Sequence, residues 1–387
     1  MTAPQPVTES QPPADGLAPV YAQYPFEVAS ADGVWLIGPR GEQVLDLYGG
    51  HAVAALGYGH PGWTAALAAQ ARECQFQTNA IAMPIRERAA RRLLGFSRLD
   101  FASVFLVNSG AEANENALRL ALRMTGRPHV AALQGAFHGR TAAAAAVTWG
   151  SDGWYGFPRA PFDVSFMPRS DTAAIAGQVT ERTAAVIVEP VQGLAGAIDL
   201  GAEYLRLLRQ RCDQVGALLI FDEVQCGFGR VGQPFAANLY GVTPDMLTVA
   251  KALGNGFPCA ALLTSARVSA TLKTGLLGTT YGGGPMACAA MLATCDAIES
   301  EGLLENVRRV SACIRRTCLV GPVTGIQGEG FLLGLRTRGP AKDVQAQLLR
   351  RGILAGTASD PHIVRLLPPF ILREEHVALL RAALAEP

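Results

Sequence analysis

At 387 residues, 49% of them hydrophobic, the chain is long enough for one large core and a smaller companion, with the composition of an ordinary globular protein. Its formal net charge of +1 offers no basic or acidic field on which a nucleic acid or an anionic membrane would dock. There is no apolar run long enough to cross a membrane and no basic-then-apolar leader, so the expectation is a cytoplasmic protein without a nucleic-acid or membrane partner.

Residues 1–20 are rich in Pro, Gln, Ala and Thr without periodicity and read as a disordered tail. Residues 33–37 and 43–47 flank the Gly38-Pro39-Arg40-Gly41 turn and predict a hairpin. Residues 57–62 spell G-x-G-x-x-G, but Pro61 and the lack of a preceding apolar strand argue against a dinucleotide site. Helices are expected over 63–73 and 84–94, where the charges between Arg86 and Arg92 read as a solvated face.

A buried strand is expected at 101–107. Asn108-Ser109-Gly110 then opens a helix over 111–124, with Ser109 as its N-cap and Gly110 allowing a ligand to approach the backbone. Free amides at such a helix start suit an anion, although a plain helix cap reads equally well. A short strand at 129–133 leads to Gln134-Gly135-Ala136-Phe137-His138-Gly139-Arg140-Thr141. There an aromatic ring, a His and an Arg can stack on and pair with a planar anion, or else form an ordinary surface loop. Residues 149–169, rich in aromatics and Pro, are expected to be ordered but irregular.

Three apolar runs follow, each ending in ionisable residues: 184–188 at Glu189, 218–221 at Asp222-Glu223, and 246–250 at Lys251. An amphipathic segment at 204–211 joins the first two. That is a βαβ pattern, so the strands should be parallel and share one carboxyl rim, where open α/β sheets keep their ligands. The G-x-G-x-x-G at 227–232 is a second decoy, because Gln233-Pro234-Phe235 stands where a helix is needed. Residues 254–258 are a tight turn, and the Gly/Thr loop at 278–285 precedes a helix over 286–300. Beyond residue 302, helices alternate with strands near 330–335 and 362–366.

Only Lys251, Lys273 and Lys342 are lysines, so a lysine at a strand end is informative: unlike Arg, it can lose its proton and act as a nucleophile. The eight cysteines form no Cys-x-x-Cys pair and have no His at zinc spacing. They are expected to be reduced and mostly buried, with no metal site. A nucleophilic lysine, a buried carboxylate, an anion cradle and a stacking ring together suit pyridoxal 5'-phosphate.

The stretches 108–115, 137–141, 188–193, 222–225, 244–251, 280–283 and 365–369 make the chain similar to the class III, ornithine-type pyridoxal-phosphate aminotransferases, most of all to the N-acetylornithine branch. The resemblance implies a fold-type I α/β protein with a large, mostly parallel sheet of the seven-stranded type and a smaller α+β domain. It places the large domain at 56–285 and the small one at 21–55 and 286–387, in a homodimer with shared active sites.

Carried residue by residue, the resemblance implies that Lys251 bonds the cofactor's aldehyde and that Asp222 pairs with its ring nitrogen. Gln225 would bond its hydroxyl and Phe137 would stack on the ring. Ser109, Gly110 and Ala111 would hold the phosphate, helped by Thr280 of the partner subunit. Arg140 would bind a substrate carboxylate. Glu189 and Arg365 would form a switching pair that opens for 2-oxoglutarate and closes for the amine.

The implied activity is transfer of the terminal amine of an N-acylornithine to 2-oxoglutarate in arginine biosynthesis. His51 stands where ornithine aminotransferases usually carry a Tyr that holds the free α-amine, which disfavours unacylated ornithine. Gly284, Leu277 and Leu194-Ala195 also depart from the usual pattern and leave the acyl group open. The competing readings are an ornithine, 4-aminobutyrate or acyl-lysine aminotransferase and, outside enzymes, a non-catalytic pyridoxal-phosphate-binding protein.

Overall fold

The computed structural model describes residues 16–386. The expected tail over 1–20 lies mostly outside them, and its last five residues are exposed.

The runs that end at Glu189, Asp222 and Lys251 form adjacent strands. Thr183–Val188 pairs with Leu218–Asp222, which pairs with Met246–Val249, both in parallel. Every residue in these three strands is buried, which is why they read as unbroken apolar runs rather than alternating ones. Val186, Val188, Leu219 and Phe221 point into one core, and their neighbours Ala185, Ile187, Leu218 and Ile220 into another. The connecting helix Gly201–Val215 fills the first core with Leu205 and Leu208, while Gly110–Thr125 fills the second with Leu118 and Ala121. The sheet is thus the middle of three layers.

The full sheet has seven strands in the order Ser103–Val107, Ala260–Thr264, Met246–Val249, Leu218–Asp222, Thr183–Val188, His129–Leu133 and Asp163–Met167. Ala260–Thr264 alone runs against its neighbours. Two strands of this sheet were not expected: Ala260–Thr264, where no strand was predicted, and Asp163–Met167, which lies inside the stretch read as irregular and adds in parallel to His129–Leu133 at the sheet edge. Its short run follows Pro158 and Pro161, whose composition masked it, and His129 Nε2 meets Ser165 Oγ at 3.0 Å across the pair.

The N-terminal hairpin forms as Trp35–Ile37 and Gln43–Asp46, with Ser30–Asp32 beside it, and Ile353–Leu354 from the far end of the sequence pairs in parallel with Gln43–Asp46. A second four-stranded sheet holds Val323–Glu329, Leu332–Thr337, Ile363–Leu366 and Gly356–Thr357. The helices over Pro61–Glu73, Pro84–Ser97 and Pro285–Ser300 each start with Pro in the first turn, where a missing amide costs nothing. All eight cysteines are unpaired and seven are buried. Among the described residues no helix is long and apolar enough to cross a membrane.

The decoy at 227–232 has a structural purpose. It carries Arg230, fully buried, whose guanidinium donates to the carbonyls of Ala52, Phe331 and Pro368 and lies 4.6 Å over the Phe370 ring. Burial pulls its pKa down to about 9.

Candidate active site at the carboxyl rim

A cavity of about 690 Å³ opens at the carboxyl ends of the parallel strands. Of the residues singled out from sequence, His51, Ser109, Gly110, Ala111, Phe137, Arg140, Glu189, Asp222, Gln225, Lys251 and Arg365 all line it. Thr280 does not; it sits exposed in the loop before Pro285–Ser300.

Lys251 opens a tight 3-10 turn, Lys251–Gly254, with φ of +46°. The chain therefore reverses sharply at the strand end and leaves the side chain in the cavity. No hydrogen bond or ion pair among the described residues ties its amine. Burial lowers the amine's pKa, an effect that Asp222 and Glu189 oppose and Arg365 reinforces, so the neutral nucleophile is more accessible than in water.

Asp222 is fixed by Asn114, His138 and Val224, which lie in the stretches quoted above but were given no role toward it. Its Oδ2 accepts from Asn114 Nδ2 at 2.7 Å and from His138 Nδ1 at 2.8 Å, and its Oδ1 from the Val224 amide at 3.0 Å. Asn114 is itself held, since its Oδ1 accepts from Thr248 Oγ1 at 2.7 Å and its Nδ2 also donates to the His138 carbonyl. The available signal was an Asn on the apolar face of a helix, in step with Ala113, Ala117, Leu118 and Ala121.

At the helix start, Ser109 caps Gly110–Thr125 in a reciprocal box. Its Oγ accepts from the Glu112 amide, and Glu112 Oε2 accepts from the Asn108 and Ser109 amides. Gly110 and Ala111, whose amides lie in the first turn and so have no intrahelical acceptor, line the cavity at the positive end of the helix. A Cβ at Gly110 would stand 2.7 Å from both Val224 methyls, so packing against Val224 is one reason for a glycine here.

Glu189 is buried, accepting at Oε1 from the Phe137 amide (2.9 Å) and at Oε2 from the Gly193 amide (3.1 Å). Burial, aided by Asp222, raises its pKa to about 7. Arg365 is also buried, but it is not in contact with Glu189 among the ion pairs of the described residues. Its Nε donates to the Thr357 carbonyl at 2.7 Å and its Nη2 to the Tyr48 hydroxyl at 2.9 Å. Arg140 is exposed at the mouth, 4.6 Å over the Trp154 ring. Two buried polar atoms in the site have no partner, Gln225 Oε1 and His138 Nε2.

This set suits a flat, phosphorylated heterocycle: amides for the anion, a ring from Phe137, a fixed carboxylate for a basic nitrogen, and an unmet acceptor on Gln225 for a hydroxyl. Comparison with known proteins points the same way. Residues 17–386 match the family described as aminotransferase class-III. The acetylornithine aminotransferase of Streptomyces coelicolor is 42% identical over 91% of this chain and 88% of its own length. Among solved structures, the acetylornithine aminotransferase of Elizabethkingia anophelis superposes with a TM-score of 0.84 at 27% identity, covering 95% of this chain and 96% of that one. An ornithine aminotransferase of Toxoplasma gondii with partial occupancy of PLP at its active site superposes at 0.89 with 26% identity, covering 96% and 91%.

Proposed function

The chain belongs to the class-III aminotransferases, and from that premise we propose that it moves the terminal amine of an N-acylornithine, N2-acetylornithine foremost, to 2-oxoglutarate, as a cytoplasmic homodimer serving arginine biosynthesis. The observation that carries the reading is a single cavity in which a half-buried Lys251, an Asp222 fixed on three sides and two arginines converge. Pyridoxal 5'-phosphate, when bound, supplies an aldehyde that takes up amines and a protonated ring that draws electrons from the reacting carbon.

The residues divide the remaining work. Asp222, its orientation set by Asn114 and His138, holds the ring nitrogen protonated. The Gly110 and Ala111 amides with Ser109 take the phosphate, and Gln225 and Phe137 fix the ring. Lys251 Nζ, made easier to deprotonate by burial, takes the proton from the substrate's terminal carbon and delivers it again on the other side of the transfer. Arg140 at the mouth receives a substrate carboxylate.

Arg365 is held on neutral partners, Tyr48 and Thr357, which supports its availability for the second carboxylate of 2-oxoglutarate. Movement of Arg365 onto Glu189 would cancel its charge when a monoacid enters. The homodimer reading is supported by Thr280, exposed away from its own cavity, and by Tyr281 beside it, 69% exposed. The division into 56–285 against 21–55 plus 286–387 is supported by the pairing of Ile353–Leu354 with Gln43–Asp46.

The test is the visible absorbance of the purified protein, titrated separately with N2-acetylornithine, N2-succinylornithine, ornithine and 4-aminobutyrate. Selective loss of the cofactor's visible band with an acylornithine supports the reading. Selective loss with ornithine or 4-aminobutyrate supports the competing donors instead.

A further inference from the structure

The two arginines of the cavity are held in different ways. Arg365 commits N–H groups to the Thr357 carbonyl and the Tyr48 hydroxyl. Arg140 is exposed at the mouth, and among the described residues its guanidinium has no hydrogen bond and no ion pair. It lies instead over the face of the Trp154 ring, with 4.6 Å between the guanidinium carbon and the ring centroid. A ring face attracts the cation without accepting from any particular N–H, so the donor edge of Arg140 stays free.

The backbone on both sides of this contact is fixed. A Cβ at Gly139 would stand 2.7 Å from Ala111 Cβ, so the chain reaches Arg140 pressed against the start of the helix Gly110–Thr125. Just beyond it, Thr141 Oγ1 and the amides of Ala143 and Ala144 donate to the Glu115 carboxylate at 2.6, 3.0 and 3.1 Å. Trp154 follows a single 3-10 turn, Ser151–Gly153, and its amide donates to the Ser151 carbonyl at 2.9 Å. Tyr155 then ties the loop back, its hydroxyl donating to the Ala142 carbonyl at 3.1 Å, two residues past Arg140. The indole so placed is 37% exposed and packs into neither face of the main sheet. What it covers is Arg140.

We propose that Trp154 is a positioning residue for the carboxylate of the amine donor: its ring face holds the Arg140 guanidinium in place with the N–H edge turned to the substrate. This rests on the role of Arg140 in the acylornithine reading and deepens it. An exposed arginine side chain has several rotatable bonds, and a substrate that must order them loses affinity in doing so. Stacking orders the side chain before the substrate arrives. The fork of N–H groups is then ready to meet a carboxylate with two bonds at once.

The test pairs N2-acetylornithine with N-acetylputrescine, the same molecule without its carboxylate, at saturating 2-oxoglutarate. Trp154→Leu keeps bulk but has no aromatic face. It is expected to raise KM for N2-acetylornithine roughly five- to tenfold with kcat held within about twofold, and to change kcat/KM for N-acetylputrescine by less than about twofold. Trp154→Tyr, which keeps a face for the guanidinium, is expected to recover most of the loss. In an Arg140→Gln background, Trp154→Leu is expected to add less than about twofold, because the group through which it acts is gone.

Equal losses on both donors, a loss confined to kcat, or full additivity with Arg140→Gln would overturn the inference and leave the acylornithine reading standing. A Trp154→Leu variant that loses the cofactor's visible band would also overturn it, since the tryptophan would then hold the fold rather than Arg140. A wild-type protein that uses ornithine but not N2-acetylornithine would overturn the donor reading alone, and ornithine against putrescine then decides on Trp154 by the same criteria. Binding of N2-acetylnorvaline, which has the carboxylate but no terminal amine, gives a readout independent of turnover. Calorimetry is expected to show it weakened in Trp154→Leu by the same factor as KM, and unchanged binding would contradict the inference.

Discussion

Asn114 Nδ2 lies 2.7 Å from Asp222 Oδ2, inside the core and one turn into the helix whose start faces the cavity. The same helix that offers the anion cradle therefore also aims the carboxylate, so the two ends of a bound ring are positioned by one rigid element. Asn114→Ala leaves Asp222 short of a donor and Thr248 Oγ1 without its acceptor. We expect a loss of about 1–2 kcal/mol in stability and a roughly tenfold fall in kcat. Asp222→Asn, which removes the charge itself, should cost at least about a hundredfold in kcat. Thermal unfolding and steady-state rates check both, and a smaller kinetic loss for Asp222→Asn than for Asn114→Ala would contradict the assignment.

Gly193 packs against Gln225: a Cβ there would stand 1.7 Å from Gln225 Oε1. Gly193→Ala must push the Gln225 amide out of place. If Gln225 bonds the cofactor's hydroxyl, affinity for pyridoxal 5'-phosphate should fall by roughly tenfold, measured by titrating the cofactor-free protein. Unchanged affinity would remove Gln225 from the cofactor-binding set.

Glu189 and Glu223 are both buried carboxyls whose pKa values rise from 4.5 to about 7 and about 8, in each case chiefly by desolvation. Each binds its proton more tightly folded than unfolded. Their stabilisation is therefore complete below the unfolded value and is lost as pH rises through the folded one. The cofactor-free protein should lose stability between about pH 5 and pH 8, by about 3 kcal/mol for Glu189 alone. Glu189→Gln and Glu223→Gln should each flatten the dependence of Tm on pH over that window. A Tm that rises across it would reverse the sign assigned here.

Arg230 gathers the segment next to His51, the strand start at Phe331 and the turn after Arg365 through three backbone carbonyls. Arg230→Ala orphans all three and opens a void, so it should cost about 3 kcal/mol or more. Arg230→Met refills the volume without supplying donors and should cost less. Denaturant midpoints distinguish the two, and a neutral Arg230→Ala would mean that the carbonyls find other partners.

The sequence exposed what lies at the ends of buried strands, because a fully apolar run that stops at Glu189, Asp222 or Lys251 marks a strand covered on both faces whose end meets polar ground. It did not expose the residues that orient those groups. Asn114 reaches Asp222 and Thr248 across 108 and 134 positions of the chain, and Tyr48 reaches Arg365 across 317. His138 stands within a stretch that was singled out, yet its bond to Asp222 spans 84 positions and leaves no local pattern. The edge strand Asp163–Met167 was hidden for a different reason. Only part of it is buried, and the prolines before it mimic a loop.

The decisive measurement is the ratio of kcat/KM for N2-acetylornithine to that for ornithine, each with saturating 2-oxoglutarate and with glutamate formation as the readout. A ratio well above ten is expected, because His51 stands where ornithine aminotransferases usually carry the Tyr that holds a free α-amine. A ratio at or below one would contradict the acylornithine reading, and would return the site to a donor with a free α-amine.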